Sequence, residues 1–192
     1  MPTWHNGTAL VLSYKKQANQ FPHGYPGSIP GVGVIISKMK KNNQKIVLLQ
    51  TNLGDIKIEL FEDMEITAGN FEKLVSEGFY EGVIFHRVID DFMIQGGDPT
   101  GTGMGGPGYK IKDEFKGHSN IRGTIAMANS GPNTGGSQFF INLVNNNFLD
   151  KKHPAFGKVI QGIDVIDSIA GVKTDSNDKP LNKVTIISIS LI

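Results

Sequence analysis

The sequence predicts a mainly β fold, a closed antiparallel β-barrel accompanied by two α-helices. Most segments from residue 45 onward are short apolar runs separated by Gly, Pro or Asn, and two segments have helical spacing. Glycine makes up 24 of the 192 residues, which favours tight turns over long helices. A series of short strands is expected to close into a barrel because closure removes unpaired sheet edges.

The first 38 residues differ in composition from the rest of the chain. They contain Lys15, Lys16 and Lys38, no acidic residue and several prolines, and the composition changes near Met39. We therefore assign residues 1–44 to an N-terminal extension outside the core and residues 45–192 to the globular domain. No apolar run reaches the length of a secretory signal or of a membrane span, so we expect a cytoplasmic protein without a membrane partner.

The domain begins with a predicted β-hairpin. "KIVLLQT" and "IKIELF" are joined by the turn "NLGD", and Ile56, Ile58 and Leu60 alternate with Lys57 and Glu59. Alternation with a period of two is typical of a strand that has one buried face.

The first helix follows in "ITAGNFEKLVSEGF". Thr67 is its predicted N-cap, Phe71, Leu74 and Val75 have helical spacing, and Gly78 ends it.

The second helix is predicted in "GIDVIDSIAG", where Ile163, Ile166 and Ile169 recur every third residue before Gly171. The remaining strands are predicted at residues 83–88, 92–96, 123–128, 137–143, 155–160 and 183–191.

Two of these hairpins carry amide and apolar side chains on the same predicted face. Alternation pairs Phe85 with Arg87, Met93 with Gln95, and Gln138 with Phe140, while Phe139 and Ile141 take the opposite face. Such a surface suits an extended peptide, because amides can pair with its backbone and apolar side chains can receive one of its residues.

Several other functions are disfavoured by the sequence. Lys and Arg number 19 against 18 Asp and Glu, so the charge gives no reason to expect nucleic acid. There is no cysteine for a thiol nucleophile or a thiolate metal site, and the five histidines lack metal-ligand spacing. Gly101, Gly103 and Gly106 match a dinucleotide-binding pattern, but Pro107 follows where a helix should begin. We expect no metal and no cofactor.

An arginine among apolar residues suits one reaction that needs neither a metal nor a cofactor, the rotation of an X-Pro peptide bond. Rotation about a peptide bond has a barrier of roughly 18–20 kcal/mol, and X-Pro bonds populate both isomers. A donor near the prolyl nitrogen would favour the twisted, deconjugated state over the planar one, and the guanidinium of Arg87 is permanently charged and rich in donors. Alternatively, Arg87 is an ordinary salt-bridged strand residue.

At these residues the sequence resembles the cyclophilin family of peptidyl-prolyl cis-trans isomerases, over roughly residues 45–192. The motifs that carry the resemblance are "FHRVIDDFMIQGGD" at 85–98, "GTG" at 101–103, "MANSGPNTGGSQFFI" at 127–141 and "FLDKKHPAFGKV" at 148–159. The resemblance implies an eight-stranded antiparallel barrel capped by two helices.

The resemblance also implies roles for individual residues. Arg87 would be catalytic, and Gln95 and Asn129 would hold the substrate backbone. The proline pocket would be lined by Phe92, Met93, Phe140 and Leu149, and the groove completed by Gly101, Ala128, Ser130, Gln138 and His153. Phe148 stands where many members have tryptophan, so the pocket keeps an aromatic wall and loses an indole N–H donor. This puts the affinity for cyclosporin in question, whereas catalysis is expected to survive.

The implied partners are proline-containing peptides and unfolded or folding proteins, bound by a monomer with chaperone activity. Ser130 replaces an alanine that is common at its position, which is expected to alter the preference for the residue before proline. Two alternatives stay open. The domain could be a non-catalytic binding module or folding scaffold for proline segments, or the prolines of the extension could occupy the groove.

Overall fold

Eight β-strands, two α-helices and one 3₁₀-helix make up residues 44–192, the part of the chain that this computed structural model describes. The strands are β1 (Ile46–Thr51), β2 (Gly54–Leu60), β3 (Arg87–Ile89), β4 (Met93–Gly96), β5 (Thr124–Met127), β6 (Phe139–Asn142), β7 (Ala155–Gln161) and β8 (Ile186–Leu191). The helices are α1 (Thr67–Ser76), the 3₁₀-helix (Asn147–Leu149) and α2 (Ile163–Ala170). The predictions about the N-terminal extension, including its prolines, lie outside the described residues.

The strands form one antiparallel sheet in the order β3-β4-β6-β5-β7-β2-β1-β8, which confirms the prediction of a mainly β fold with two helices. The prediction of a closed barrel is wrong, because the sheet is open and curled, with β3 and β8 as its edges. Among the described residues an isolated bridge joins Ile84 to Thr185 between these edges, flanked by a few backbone hydrogen bonds. The hydrogen bonds that flank the bridge join Gly82, Val83 and Phe85 to Val184 and Ile186, before the regular part of β3 begins at Arg87.

The first hairpin is confirmed by the pairing of β1 with β2, from Ile46 opposite Glu59 to Thr51 opposite Gly54. The alternating residues of β2 are buried in the main core, on the inner face of the sheet. Aromatic rings occupy the centre of this core: the ring centroid of Phe71 lies 5.2–5.5 Å from those of Tyr80, Phe139 and Phe156.

Helix α1 forms where it was predicted, and Gly78 follows its end with a φ of 69°. The prediction that Thr67 caps it is wrong, because the helix begins one residue earlier and Ile66 is the N-cap. The hydroxyl of Thr67 is buried and has no hydrogen-bond partner within residues 44–192. In its place the carboxylate of Glu114 accepts hydrogen bonds from the backbone N–H groups of Ile66 and Thr67, at 2.9 and 3.1 Å.

Helix α2 also agrees with its prediction. Gly162, with a φ of 89°, precedes it, and Gly171 is its C-cap, donating its N–H to the carbonyl of Asp167 at 3.0 Å. Ile166 and Ile169 are buried. Within residues 44–192 no helix combines the length and the apolar character that crossing a membrane requires.

The predicted strand at 83–88 is shorter than expected, since β3 begins only at Arg87. Phe85 precedes it and is fully buried in the main core, with its ring 6.1 Å from that of Phe139. Arg87 is exposed on the outer face. The prediction that Phe85 and Arg87 share a face is therefore wrong, because residue alternation holds only within a regular strand.

Candidate active site

A small apolar cluster lies on the outer face of the sheet, apart from the main core. Its buried members are Met93, Ala126, Phe140, Leu149 and Ala155, and its partly buried members are Ile89, Phe92 and Ala128. The four residues predicted to line a proline pocket, Phe92, Met93, Phe140 and Leu149, all belong to it. Met93 and Phe140 come from neighbouring strands of the sheet, whereas Leu149 comes from the 3₁₀-helix.

Aromatic rings border this cluster. Phe148 is 67% exposed and stacks on Phe92, with ring centroids 6.1 Å apart and planes 13° from parallel. His153 meets the edge of Phe140 at 5.5 Å. The cluster therefore has a solvent-facing aromatic wall at Phe148 and a histidine beside Phe140.

The strand register places Arg87 in line with this cluster. Arg87 lies opposite Gln95 across β3 and β4, and Gln95 lies opposite Phe140 across β4 and β6. Directly opposed residues have Cβ atoms about 4.5–5.5 Å apart on the same face of a sheet. The guanidinium, the amide and the buried ring consequently form one row across three strands.

The guanidinium of Arg87 has an ion-pair partner, Asp178. Its Nε lies 3.5 Å from a carboxylate oxygen of Asp178, and the two side chains are 45% and 43% exposed. The backbone around the pair is also joined, because the N–H of Val88 donates to the carbonyl of Asp178 at 2.8 Å. An exposed pair of this kind adds little to stability. It engages Nε, and within residues 44–192 the two terminal nitrogens of Arg87 have no partner.

Two glutamine amides form a directed chain next to Arg87. Gln138 Nε2 donates to the carbonyls of Gly103 and Gly105, at 3.0 and 2.9 Å. This orients the Oε1 of Gln138 toward Gln95, whose Nε2 donates to it at 3.0 Å. Because the orientation of both amides is fixed in this way, the Oε1 of Gln95 is left as an acceptor on the groove face.

A buried carboxylate shapes the glycine-rich loop that supplies those carbonyls. Asp98 is fully buried and accepts hydrogen bonds from the backbone N–H groups of Thr100, Thr102, Gly103 and Gly105, at 2.6–3.1 Å. Burial alone would raise the pKa of Asp98, but the hydrogen bonds from Thr100, Gly105 and Gly103 outweigh it and hold the pKa well below its usual range. A Cβ at Gly105 would collide with the Asp98 carboxylate, so this position needs glycine.

A cavity of about 420 Å³ adjoins the loop and is lined by its residues Gly103–Lys110. Five predicted groove residues line it, namely Gln95, Ala128, Asn129, Ser130 and Gln138. Among the described residues that line the cavity, Lys110 has the one charged side chain. Met104, which is 91% exposed, lies at the rim of the cavity. The groove thus has an apolar part around Phe140 and a more polar part around Ser130.

Hydrogen bonds tie three of the predicted residues, Asn129, Ser130 and Gly101, to other segments or to their own loop. Asn129 Nδ2 donates to the carbonyl of Lys152 at 2.8 Å, and the backbone N–H of Ser130 donates to the hydroxyl of Thr134 at 2.9 Å. Gly101 has a φ of 64°, and its carbonyl accepts from Lys179 Nζ at 3.2 Å.

Two histidines near the groove have a pKa below the ordinary value for histidine. Burial lowers the pKa of His153, whose Nδ1 lies 3.2 Å from the carbonyl of Met127. Burial also lowers the pKa of His86, whose Nδ1 has no hydrogen-bond partner among the described residues. Residues 44–192 contain no group of three His, Asp or Glu side chains arranged to hold a metal ion.

The sequence did not reveal several residues that support the groove or line its cavity. Asp98 and Asp178 were not singled out, and neither were Lys110 and Met104 at the cavity. Asp98 is the last residue of the motif at 85–98, and this position in the motif was the one sequence feature that could have identified it. The partnership of Arg87 with Asp178 spans 91 residues and leaves no local pattern.

Comparison with known proteins identifies similar chains. A family model described as "Cyclophilin type peptidyl-prolyl cis-trans isomerase/CLD" matches residues 46–191. The chain is 51% identical over 149 residues to the peptidyl-prolyl cis-trans isomerase ppi1 of Schizosaccharomyces pombe, covering 73% of this chain and 95% of that protein. It is 47% identical over 151 residues to a peptidyl-prolyl cis-trans isomerase-like 3 of Dictyostelium discoideum, covering 76% and 94%.

Solved structures are similar as well. The crystal structure of a cyclophilin type peptidyl-prolyl cis-trans isomerase from Cryptosporidium parvum matches with a TM-score of 0.75 and 38% identity, covering 78% of this chain and 97% of that one. A second crystal structure of that protein, in the presence of the dipeptide Ala-Pro, matches with a TM-score of 0.74 and 37% identity, covering 77% and 98%.

Proposed function

This chain belongs to the cyclophilin-type peptidyl-prolyl cis-trans isomerases, and from that premise we propose that Arg87 catalyses rotation of X-Pro bonds seated on the outer apolar cluster. The cross-strand row of Arg87, Gln95 and Phe140 is the observation that carries this proposal. A proline ring held against Phe140 and Met93 would bring its amide nitrogen to the side of the cluster where the guanidinium lies.

Each part of this arrangement has a task in the proposed mechanism. The apolar cluster holds the proline ring and excludes water from it. An N–H of Arg87 donates to the prolyl nitrogen as its lone pair localises, which stabilises the twisted state more than the planar one. Asp178 restrains the Nε end of the guanidinium, so the terminal nitrogens are the donors that reach the substrate.

The polar part of the groove is proposed to hold the peptide backbone on either side of the proline. Gln95 offers an oriented acceptor, and Asn129 and Ser130 line the neighbouring cavity. His153 and Gly101 complete the groove. We propose proline-containing peptides and unfolded or folding proteins as substrates, acted on by a monomeric, cytoplasmic folding helper formed by residues 45–192. Cyclosporin is a proposed further ligand, with an affinity limited by Phe148.

Exchange NMR on an Ala-Pro-Phe peptide tests the catalytic proposal. We expect the wild-type protein to accelerate cis–trans interconversion, and Arg87→Ala to lower the rate by on the order of 10²–10³, as the loss of other preorganised donors does. Arg122→Ala is the matched control. Arg122 is also a paired surface arginine, bonded to Asp167 at 2.7 Å, but it lies outside the groove, so its loss should leave the rate unchanged.

Two results would count against the proposal. A wild-type protein that shifts the peptide resonances without accelerating exchange would indicate a non-catalytic binding module. Equal rates for Arg87→Ala and Arg122→Ala would remove Arg87 from the mechanism while leaving the isomerase activity in place.

A further inference from the structure

Three buried asparagines at one end of the apolar cluster are not explained by the fold alone. Asn120 and Asn142 are fully buried, and Asn146 is 3% exposed. Burying an amide is unfavourable unless its hydrogen bonds are made. Asn142 lies opposite Met93 across β4 and β6, so it continues the outer face on which the cluster sits.

The three amides are linked in a fixed order, which we call the asparagine chain. Asn146 Nδ2 donates to the Oδ1 of Asn142 at 2.9 Å, and Asn142 Nδ2 donates to the Oδ1 of Asn120 at 3.1 Å. Thr124 adds a second acceptor, since its hydroxyl lies 3.0 Å from Asn142 Nδ2. The Oδ1 atoms of Asn142 and Asn120 each accept a hydrogen bond from the amide nitrogen of the preceding asparagine in the chain. These bonds fix the orientation of all three amides.

Both ends of the asparagine chain hold the backbone of groove residues. At one end, Asn146 Nδ2 donates to the carbonyl of Phe92 at 2.9 Å. At the other end, Asn120 Nδ2 donates to the carbonyl of His153 at 2.9 Å. Phe92 and His153 are 61 positions apart in the sequence and lie in the segments that carry two sides of the groove.

The main chain of Asn146 secures a third segment. Its carbonyl accepts the N–H of Leu149 at 2.9 Å, and its N–H donates to the carbonyl of Asn120 at 2.7 Å. The 3₁₀-helix that begins after Asn146 carries Phe148 and Leu149, so one residue connects the Phe92 side of the cluster to the Leu149 side.

We infer that the asparagine chain sets the width of the proline pocket, with Asn146 as its principal positioning residue. The inference rests on the proposed role of the apolar cluster as that pocket. Asn146 does not contact the substrate; it acts by holding the Phe92 backbone against the turn that carries Phe148 and Leu149. The ligand of the pocket is the proline ring, whose fit depends on the distance between Phe92 and the turn that carries Phe148 and Leu149.

The sequence provides a matched pair of variants, because Asn145 and Asn146 are adjacent. Asn146→Asp removes the Nδ2 that donates to the carbonyl of Phe92 and to the Oδ1 of Asn142. A carboxylate oxygen then lies opposite these two acceptor oxygens, and neither hydrogen bond can form. Asn145→Asp makes the same chemical change at an exposed position and keeps the Oδ1 that accepts the N–H of Arg122 at 3.0 Å. Asn146→Ala, which introduces no buried charge, replaces Asn146→Asp if that variant does not fold.

The experiment combines exchange NMR on the Ala-Pro-Phe peptide with the aromatic spectrum of the protein. For Asn146→Asp we expect the KM for the peptide to rise at least about fivefold with a smaller change in kcat, since a displaced wall loosens binding. The ring signals of Phe92 and Phe148 should shift in the same variant. Asn145→Asp should match the wild type in both measurements.

The outcomes separate this inference from the proposed function. A folded Asn146 variant with unchanged KM and unchanged ring signals would overturn the inference even if the wild type is active. If the wild type does not accelerate exchange, the proposed function fails, and the ring signals of Phe92 and Phe148 alone decide whether the asparagine chain positions them.

Discussion

Polar side chains on the outer face act through the orientation that their partners impose. Gln95 presents an acceptor to the groove because Gln138 is itself fixed by the carbonyls of Gly103 and Gly105. Arg87 is restrained at Nε by Asp178. Preorganised donors and acceptors of this kind would need little reorganisation on binding a peptide, as the proposed function requires.

Phe148 is the residue at which a change is expected to add a function. Its ring stacks on Phe92 and is 67% exposed, so a larger aromatic side chain can be accommodated there. Phe148→Trp adds an indole N–H donor at the rim of the groove. We expect the affinity for cyclosporin to rise by about tenfold, the worth of one well-formed hydrogen bond, as measured by isothermal titration calorimetry.

The same variant should isomerise the Ala-Pro-Phe peptide at the wild-type rate, because Arg87 and the buried part of the cluster are unchanged. Phe148→Leu is the control that removes the aromatic ring without adding a donor, and it should not gain affinity. Equal cyclosporin affinities for the wild type and Phe148→Trp would mean that the missing donor is not what limits binding.

At the scale of elements, helix α1 shows how a remote side chain replaces a local cap. Glu114 accepts the N–H groups of Ile66 and Thr67, and this negative charge also interacts favourably with the helix dipole. Glu114→Ala leaves both N–H groups without a partner. We expect it to lower the free energy of unfolding by about 1–3 kcal/mol, measured by urea denaturation.

Thr67→Val is the informative companion to that variant. The Thr67 hydroxyl is buried and has no partner in the described part of the chain, so replacing it with a methyl group of similar shape removes an unsatisfied donor. Stability should stay unchanged or increase. A loss comparable to that of Glu114→Ala would show that Thr67 does serve as the cap.

The elements that the sequence predicted well are those governed by local pattern. Alternation located β1 and β2, and spacing located α1 and α2 with their terminal glycines, because those signals lie within a few residues. The start of α1 was misjudged because Glu114, whose carboxylate accepts the first N–H groups of the helix, lies 47 residues from Thr67. Phe85 was given the wrong face because the chain becomes regular only at Arg87.

At the scale of the whole molecule, the open sheet illustrates what local pattern cannot supply. Between its two edges the described residues form an isolated bridge at Ile84 and Thr185 with a few flanking backbone hydrogen bonds, instead of a continuous strand ladder. Phe92, Met93, Phe140 and Leu149, which the structure gathers in the outer cluster, could be grouped from the sequence because the motifs that carry the resemblance contain them. Their supports, such as Asp98 and Asn146, became visible only from three-dimensional hydrogen bonding.

The pH dependence of stability is a property of the whole molecule, and within residues 44–192 the lowered pKa of two histidines contributes to it near neutrality. Burial lowers the pKa of both His86 and His153 in the folded state. For His86 the nearby Asp98 opposes this shift without cancelling it. Because their pKa is lowered by folding, these histidines bind protons less readily in the folded chain than in the unfolded chain, where they titrate near pH 6.5. The free energy of unfolding must therefore decrease as the pH falls below about 6.5.

Urea denaturation at several pH values between 5 and 8 measures this effect. We expect a slope of up to about 1.4 kcal/mol per pH unit for each histidine below pH 6.5, and little slope above pH 7. The lowered pKa of Asp98 acts elsewhere: its stabilisation is complete above about pH 4 and is lost only in stronger acid. His86→Gln should thus reduce the slope between pH 5 and 6.5 and leave the curve above pH 7 parallel to that of the wild type. An unchanged slope in that variant would mean that His86 takes up its proton equally well in the folded and unfolded states, despite its buried and unpartnered Nδ1.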